Sequence, residues 1–101
     1  MAILALFTGK ISKVQYEAVR KELKWESEHP AGGICHVASF DEQGHIHVAD
    51  VWESEDALNA FVVEKLAPVF AKNGIQPPHV AVFPVHNLNA YKAIDRYRVQ
   101  G

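Results

Sequence analysis

The chain has 101 residues, enough for one domain with one core but small enough that self-association would add to its stability. With 49 % apolar and 22 % charged residues and a formal net charge of −2, it has an ordinary globular composition, and no Lys/Arg cluster supports a nucleic-acid partner. The longest apolar run, "MAILALF", is far short of the roughly 20 residues a membrane span needs and lacks the marks of a signal peptide, so no membrane association is expected. Cys35 is the single cysteine, which excludes an internal disulfide and fits a reducing cytoplasm.

In chain order, "AILALFT" (2–8) is a short apolar run ended by Gly9 and reads as a buried strand. Ser12 and Gln15 have capping-box spacing, and Val14 and Ala18, extended by Leu23, recur at helical intervals. That helix should stop near Trp25, where "HPAGG" supplies loop chemistry. "ICHVASF" and "HIHVADVW" are strand-like runs joined by "DEQG", which predicts a hairpin. Ser54 is a good N-cap, and Glu55 and Asp56 suit the first turn of the helix that follows. Leu58, Phe61, Val62, Leu66, Val69 and Phe70 share one face of it, Pro68 should kink or split it, and Gly74 should close it. "HVAVFPV" is a last strand whose Pro84 suggests an edge or a strand end. The tail from about residue 87 is polar with two tyrosines, and reads as a packed clasp or a loose extension.

The order is β-α-β-β-α-β over a single domain, 1–101, the split plan of ferredoxin-like α+β folds. Two helices cover one face of such an antiparallel sheet and leave the other bare. A homodimer with two sheets face to face, a dimeric α+β barrel, is the economical way to cover it.

Six histidines are present: His29, His36, His45, His47, His79 and His86. If "DEQG" is a four-residue loop, Phe40 faces His45 and Ala38 faces His47. Period-2 alternation then puts Ile34, His36, Ala38, Phe40, His45, His47, Ala49 and Val51 on one face, opposite Cys35, Val37, Ser39, Ile46, Val48, Asp50 and Trp52. His36 and His47 become diagonal neighbours beside small alanines, a pattern compatible with a lined cavity. A neutral imidazole suits general-base work near pH 7, so His36 or His47 is the candidate base. The plainer alternative is that both are structural, at strand ends or in a wet interface. A metal held by His36, His47 and His86 is a further alternative, although the spacing has no metal signature and none is expected. Asp50 reads as a strand-end carboxylate open to water, with a buried acid as its alternative. Neither a phosphate-binding glycine pattern nor a serine-nucleophile motif is visible, and Cys35 has no catalytic context.

A strand ending in Trp-Glu-Ser and running straight into an acidic, alanine-rich helix, "VADVWESEDALNAF", resembles the antibiotic biosynthesis monooxygenase-like superfamily of dimeric α+β barrels. The resemblance implies a homodimer that holds a small apolar or aromatic ligand between sheet and helices. It also implies cofactor-independent monooxygenase chemistry on a phenolic, quinol or polyketide-like substrate, or a related isomerase or cyclase. A non-catalytic binding or stress-response barrel is the rival within the same fold. Trp52 and Phe61 would be pocket walls and His86 an outside candidate for substrate contact. In the haem-degrading branch a tryptophan and an iron-binding histidine stand where this chain has Phe61 and Ala71, so haem is not expected. Phe61 also replaces the helix-borne histidine of quinol-oxidising relatives.

Overall fold

The computed structural model describes residues 1–99. Strand β1 (Ile3–Gly9) leads to helix α1 (Lys13–Leu23), the hairpin β2 (Gly33–Phe40) and β3 (Ile46–Trp52), helices α2 (Glu55–Phe61) and α3 (Ala67–Lys72), and strand β4 (His79–Pro84). The four strands form one antiparallel sheet in the order β2-β3-β1-β4. This is the expected ferredoxin-like arrangement. No helix of the described residues is long and apolar enough to cross a membrane.

Alternation in β1 and β3 sends Ile3, Ala5, Phe7, Ile46, Val48 and Trp52 to the helix side, where they meet Val19, Leu58, Val69, Phe70 and Ile75. Burying each large apolar side chain contributes about 1.5–3 kcal/mol, so this layer dominates the favourable side of folding. The other sheet face carries Leu4, Leu6, Val37, Ala49, Val51, Ala81 and Phe83, and no helix covers it. Pro84 ends β4 on the sheet edge, where its missing N–H costs no ladder bond, and Val85 N–H still reaches the Ala2 carbonyl at 3.0 Å.

Ser12 caps α1 as expected: it accepts from Gln15 N–H at 3.2 Å while the Gln15 side chain accepts from Ser12 N–H at 3.0 Å. The expected inner face of α1 is wrong, however. Val14 is 80 % exposed and Ala18 is also exposed, whereas Tyr16, Val19 and Leu23 turn inward. The cap orients the helix so that the 16-19-23 spacing, which obeys the helical repeat equally well, meets the sheet.

Pro68 splits the second helical run as expected: one wide π turn over Val62–Leu66 separates α2 from α3, which carries the proline in its first turn. Proline lacks an N–H and its ring would clash with the carbonyl of residue 64 in an α-helix; widening the turn, with Ala67 N–H bonded to the Val62 carbonyl, removes both problems. Leu58, Phe61, Val62, Leu66, Val69 and Phe70 still share the inward side.

The β2-β3 register is one residue away from expectation. Asp41 and His45 still exchange a backbone bond, Asp41 N–H to the His45 carbonyl at 3.0 Å, so the loop is the three residues Glu42, Gln43 and Gly44. Gly44 has φ +77°, the left-handed residue that such three-residue hairpins use. Phe40 therefore pairs with Ile46, Ser39 with His47 and His36 with Asp50. His36 and His47, expected on one face, lie on opposite faces.

Candidate active site

A cavity of about 290 Å³ opens between the sheet and the helices. Phe7, Val19, Val48, Phe61, Leu66 and Phe70 give it an apolar body, and Tyr16, His36, Asp50 and Trp52 form a polar wall. Its size is at the lower end for small-molecule pockets, which are mostly apolar with a few placed polar groups.

The polar wall is a continuous hydrogen-bonded chain. Tyr16 Oη lies 2.7 Å from His36 Nε2, His36 Nδ1 lies 2.6 Å from Asp50 Oδ1, and Trp52 Nε1–H donates to Asp50 Oδ2 at 3.2 Å. Three elements supply it: α1 through Tyr16, β2 through His36, and β3 through Asp50 and Trp52. Cross-strand pairing of His36 with Asp50 sets the central contact, and the period of two puts Trp52 on the same side as Asp50. Asp50 is buried, and its two oxygens meet two ring N–H groups. With Nδ1–H donating to the carboxylate, Nε2 is left as an acceptor and receives a hydrogen bond from the Tyr16 hydroxyl.

The rings around this chain are packed. Tyr16 and His36 are nearly parallel, 5° apart with centroids 6.0 Å apart, and Trp25 stands 5.2 Å from His36 and 5.8 Å from Tyr16. Trp52, at the end of the hydrogen-bonded chain, meets Phe61 with ring centroids 5.4 Å apart. Burial pushes the Tyr16 pKa well above the ordinary tyrosine value, and the Glu26 carboxylate nearby pushes the same way. Tyr16 is thus a neutral hydroxyl throughout the physiological range. Arg20 opposes that rise but is itself held by Glu26 at 2.6 Å and Glu17 at 3.0 Å, and these carboxylates keep its own proton bound more tightly than usual.

Of the residues singled out from sequence, His36, Trp52 and Phe61 line the cavity. His47 does not. It lies on the outer sheet face, where Nε2 meets Asp41 Oδ2 at 2.9 Å and, with the His45 and Gln43 backbone N–H groups, holds the Asp41 carboxyl below its usual range. His86 follows β4, is exposed and takes no part in the cavity lining. His36, His47 and His86 therefore do not converge, and among the described residues no group of three or more His, Cys, Asp or Glu is placed to hold a metal ion. Asp50 corrects the other expectation, being a buried acid rather than a water-exposed one. Ala71, at the position of the haem-branch iron ligand, is exposed on α3. Tyr16 and Trp25 were not singled out; the 16-19-23 helical spacing was the signal that could have brought Tyr16 to the sheet.

No family model matches the chain, and no curated protein matches it by sequence. Solved structures do match. Rv0793 from Mycobacterium tuberculosis superposes with a TM-score of 0.67 at 11 % identity, over 89 % of this chain and 100 % of that one. SnoaB from Streptomyces nogalater, a cofactor-independent oxygenase solved as a variant, gives 0.58 at 14 % identity, over 86 % and 93 %. A Chloroflexus aurantiacus protein assigned by inference to the antibiotic biosynthesis monooxygenases gives 0.61 at 16 %, over 88 % and 98 %. The chain thus has the ferredoxin-like α+β fold of the antibiotic biosynthesis monooxygenase-like proteins.

Proposed function

We propose that this protein is a small-molecule enzyme of the cofactor-independent monooxygenase kind, or an isomerase or cyclase that starts from the same proton abstraction. The observation that carries the reading is the His36–Asp50 pair at 2.6 Å on the wall of an apolar, aromatic-lined cavity. In a neutral imidazole whose far nitrogen is held by a buried carboxylate, the other nitrogen is oriented to accept a proton, and the carboxylate stabilises the imidazolium that forms.

The substrate class that fits is a small phenol, quinol or anthrone-type ring system with an acidic hydrogen. Aromatic walls at Trp52 and Phe61 take its faces, and loss of the proton leaves a delocalised carbanion. That carbanion can reduce dioxygen directly. In the net reaction a ring methylene and dioxygen become a ring carbonyl and water: one oxygen atom stays in the carbonyl and the other leaves with the two hydrogens. The protein supplies a base and an apolar cavity, and no cofactor enters the balance.

The protein acts as a homodimer. Support comes from the bare sheet face, where Leu6, Val37 and Phe83 are exposed beside Leu4, Ala49 and Val51. An apolar sheet face of this kind is self-complementary about a two-fold axis.

Oxygen uptake by metal-stripped protein against a panel of hydroquinones and anthrones tests the reading. Uptake by wild type that is abolished in His36→Ala supports it. Uptake that survives His36→Ala removes the base from this site, and ligand binding with neither uptake nor isomerisation makes the protein a binding module.

A further inference from the structure

Resting on the reading of His36 as the proton acceptor, we infer that the Tyr16 hydroxyl, not the imidazole, is the group that meets the substrate, and that it passes the substrate's proton on to His36. Both imidazole nitrogens are already engaged, Nδ1 with Asp50 at 2.6 Å and Nε2 with Tyr16 Oη at 2.7 Å. Trp25 and Tyr16 flank the ring. A ligand in the cavity therefore finds no free imidazole nitrogen. Tyr16 Oη is different: it uses its proton toward Nε2 and keeps lone pairs for a second partner.

The proton balance is simple. As the substrate O–H or C–H gives its proton to Tyr16 Oη, the proton already on Oη moves to His36 Nε2. The product state is a substrate anion, an unchanged neutral tyrosine and an imidazolium paired with the Asp50 carboxylate. One proton leaves the substrate and one arrives on His36. No tyrosinate is formed, which suits a hydroxyl whose burial and acidic neighbour disfavour the anion. The same hydroxyl, still hydrogen-bonded, then orients the anion it has made.

Tyr16 is the catalytic residue in this scheme, His36 the proton store behind it, and Asp50 a positioning residue that fixes the imidazole tautomer.

The test uses para-nitrophenol, whose phenolate absorbs in the visible, with wild type, Tyr16→Phe and His36→Gln, and with the imidazole nitrogens of His36 read by NMR in the same samples. Wild type should ionise the bound phenol. Tyr16→Phe should keep the folded far-ultraviolet spectrum and the aromatic cavity, yet lower the bound phenolate fraction about tenfold, the equivalent of one pKa unit. His36→Gln should lower it likewise. Ionisation undiminished in Tyr16→Phe but lost in His36→Gln would overturn the relay and leave His36 as a direct base. A bound phenol that wild type does not ionise would instead defeat the underlying reading of the site. The free protein tests the relay without any ligand: a proton on Nδ1 and a hydrogen-bonded, unprotonated Nε2 are required, and the opposite tautomer overturns it.

Discussion

His36 and Asp50 face each other across β2 and β3, and their side chains meet at 2.6 Å on the cavity side of the sheet. Asp50 is also the acceptor for the Trp52 indole, so one buried carboxylate both serves the imidazole and satisfies a buried donor. Asp50→Ala should cost about 1–3 kcal/mol by orphaning the indole N–H. Asp50→Asn, which keeps an acceptor for Trp52, should fold with less loss but reduce turnover about a hundredfold, because the imidazolium loses its counter-charge. Urea unfolding and oxygen uptake on the two variants separate these effects.

Tyr16 makes the fold sensitive to alkali. Its pKa is raised in the folded chain, while the unfolded chain ionises near the ordinary tyrosine value of about 10. The stability contributed by neutral Tyr16 is fully present below about pH 10 and is lost as pH rises from there through the folded value, because the unfolded state alone releases the proton. Tyr16→Phe should therefore flatten the fall in unfolding free energy between about pH 9 and 11. Parallel slopes in wild type and variant would contradict it.

Gly32 lies against α2 in the loop before β2, between Pro30 and Gly33 of the cavity lining. Its φ is +83°, a Cβ there would come 2.6 Å from the Ala57 Cβ, and its carbonyl accepts from Glu53 N–H at 2.8 Å. Gly32→Ala should destabilise by about 1–3 kcal/mol through strain and overpacking. Gly44 is the control. It has φ +77° with nothing within 4 Å, so Gly44→Asn, which tolerates the left-handed region, should be close to neutral in thermal unfolding.

The exposed sheet face gives a prediction about assembly. Val37 is 60 % and Leu6 37 % exposed on the chain, so charges there leave the chain's own core untouched. Val37→Glu and Leu6→Lys should each give a folded monomer by light scattering where wild type is a dimer. A wild-type monomer would sink the homodimer.

Much of the architecture was legible because strands write themselves as short apolar or β-branched runs bounded by turn residues. β1, the hairpin strands and β4 could be read from such runs, and Ser12 and Gln15 marked the start of α1 by a local bond. What could not be read depended on relations between elements. The inward turn of Tyr16 depends on how α1 rolls on the sheet, and two helical spacings, 14-18 and 16-19-23, competed on equal terms. The meeting of His36 with Asp50 depends on register, which the loop sets and neither strand declares. His47 was misplaced for the same reason. The hydrogen-bonded neighbours of His36 thus come from 20 residues before it and 14 after it, separations at which no short motif operates.

The three-residue turn at Glu42–Gly44 acts as a parity setting for the whole hairpin. With Asp41 opposite His45, residues from Cys35 to Phe40 have the same parity as their β3 partners, and even-numbered residues, His36 and Asp50 among them, occupy the cavity side. A turn one residue longer would set even against odd, so that with β3 held in place His36 would face outward and Asp50 and Trp52 would be left inside without it. The length of a surface turn, far from the cavity and untouched by any ligand in it, thereby decides whether the carboxylate and the imidazole share a compartment at all.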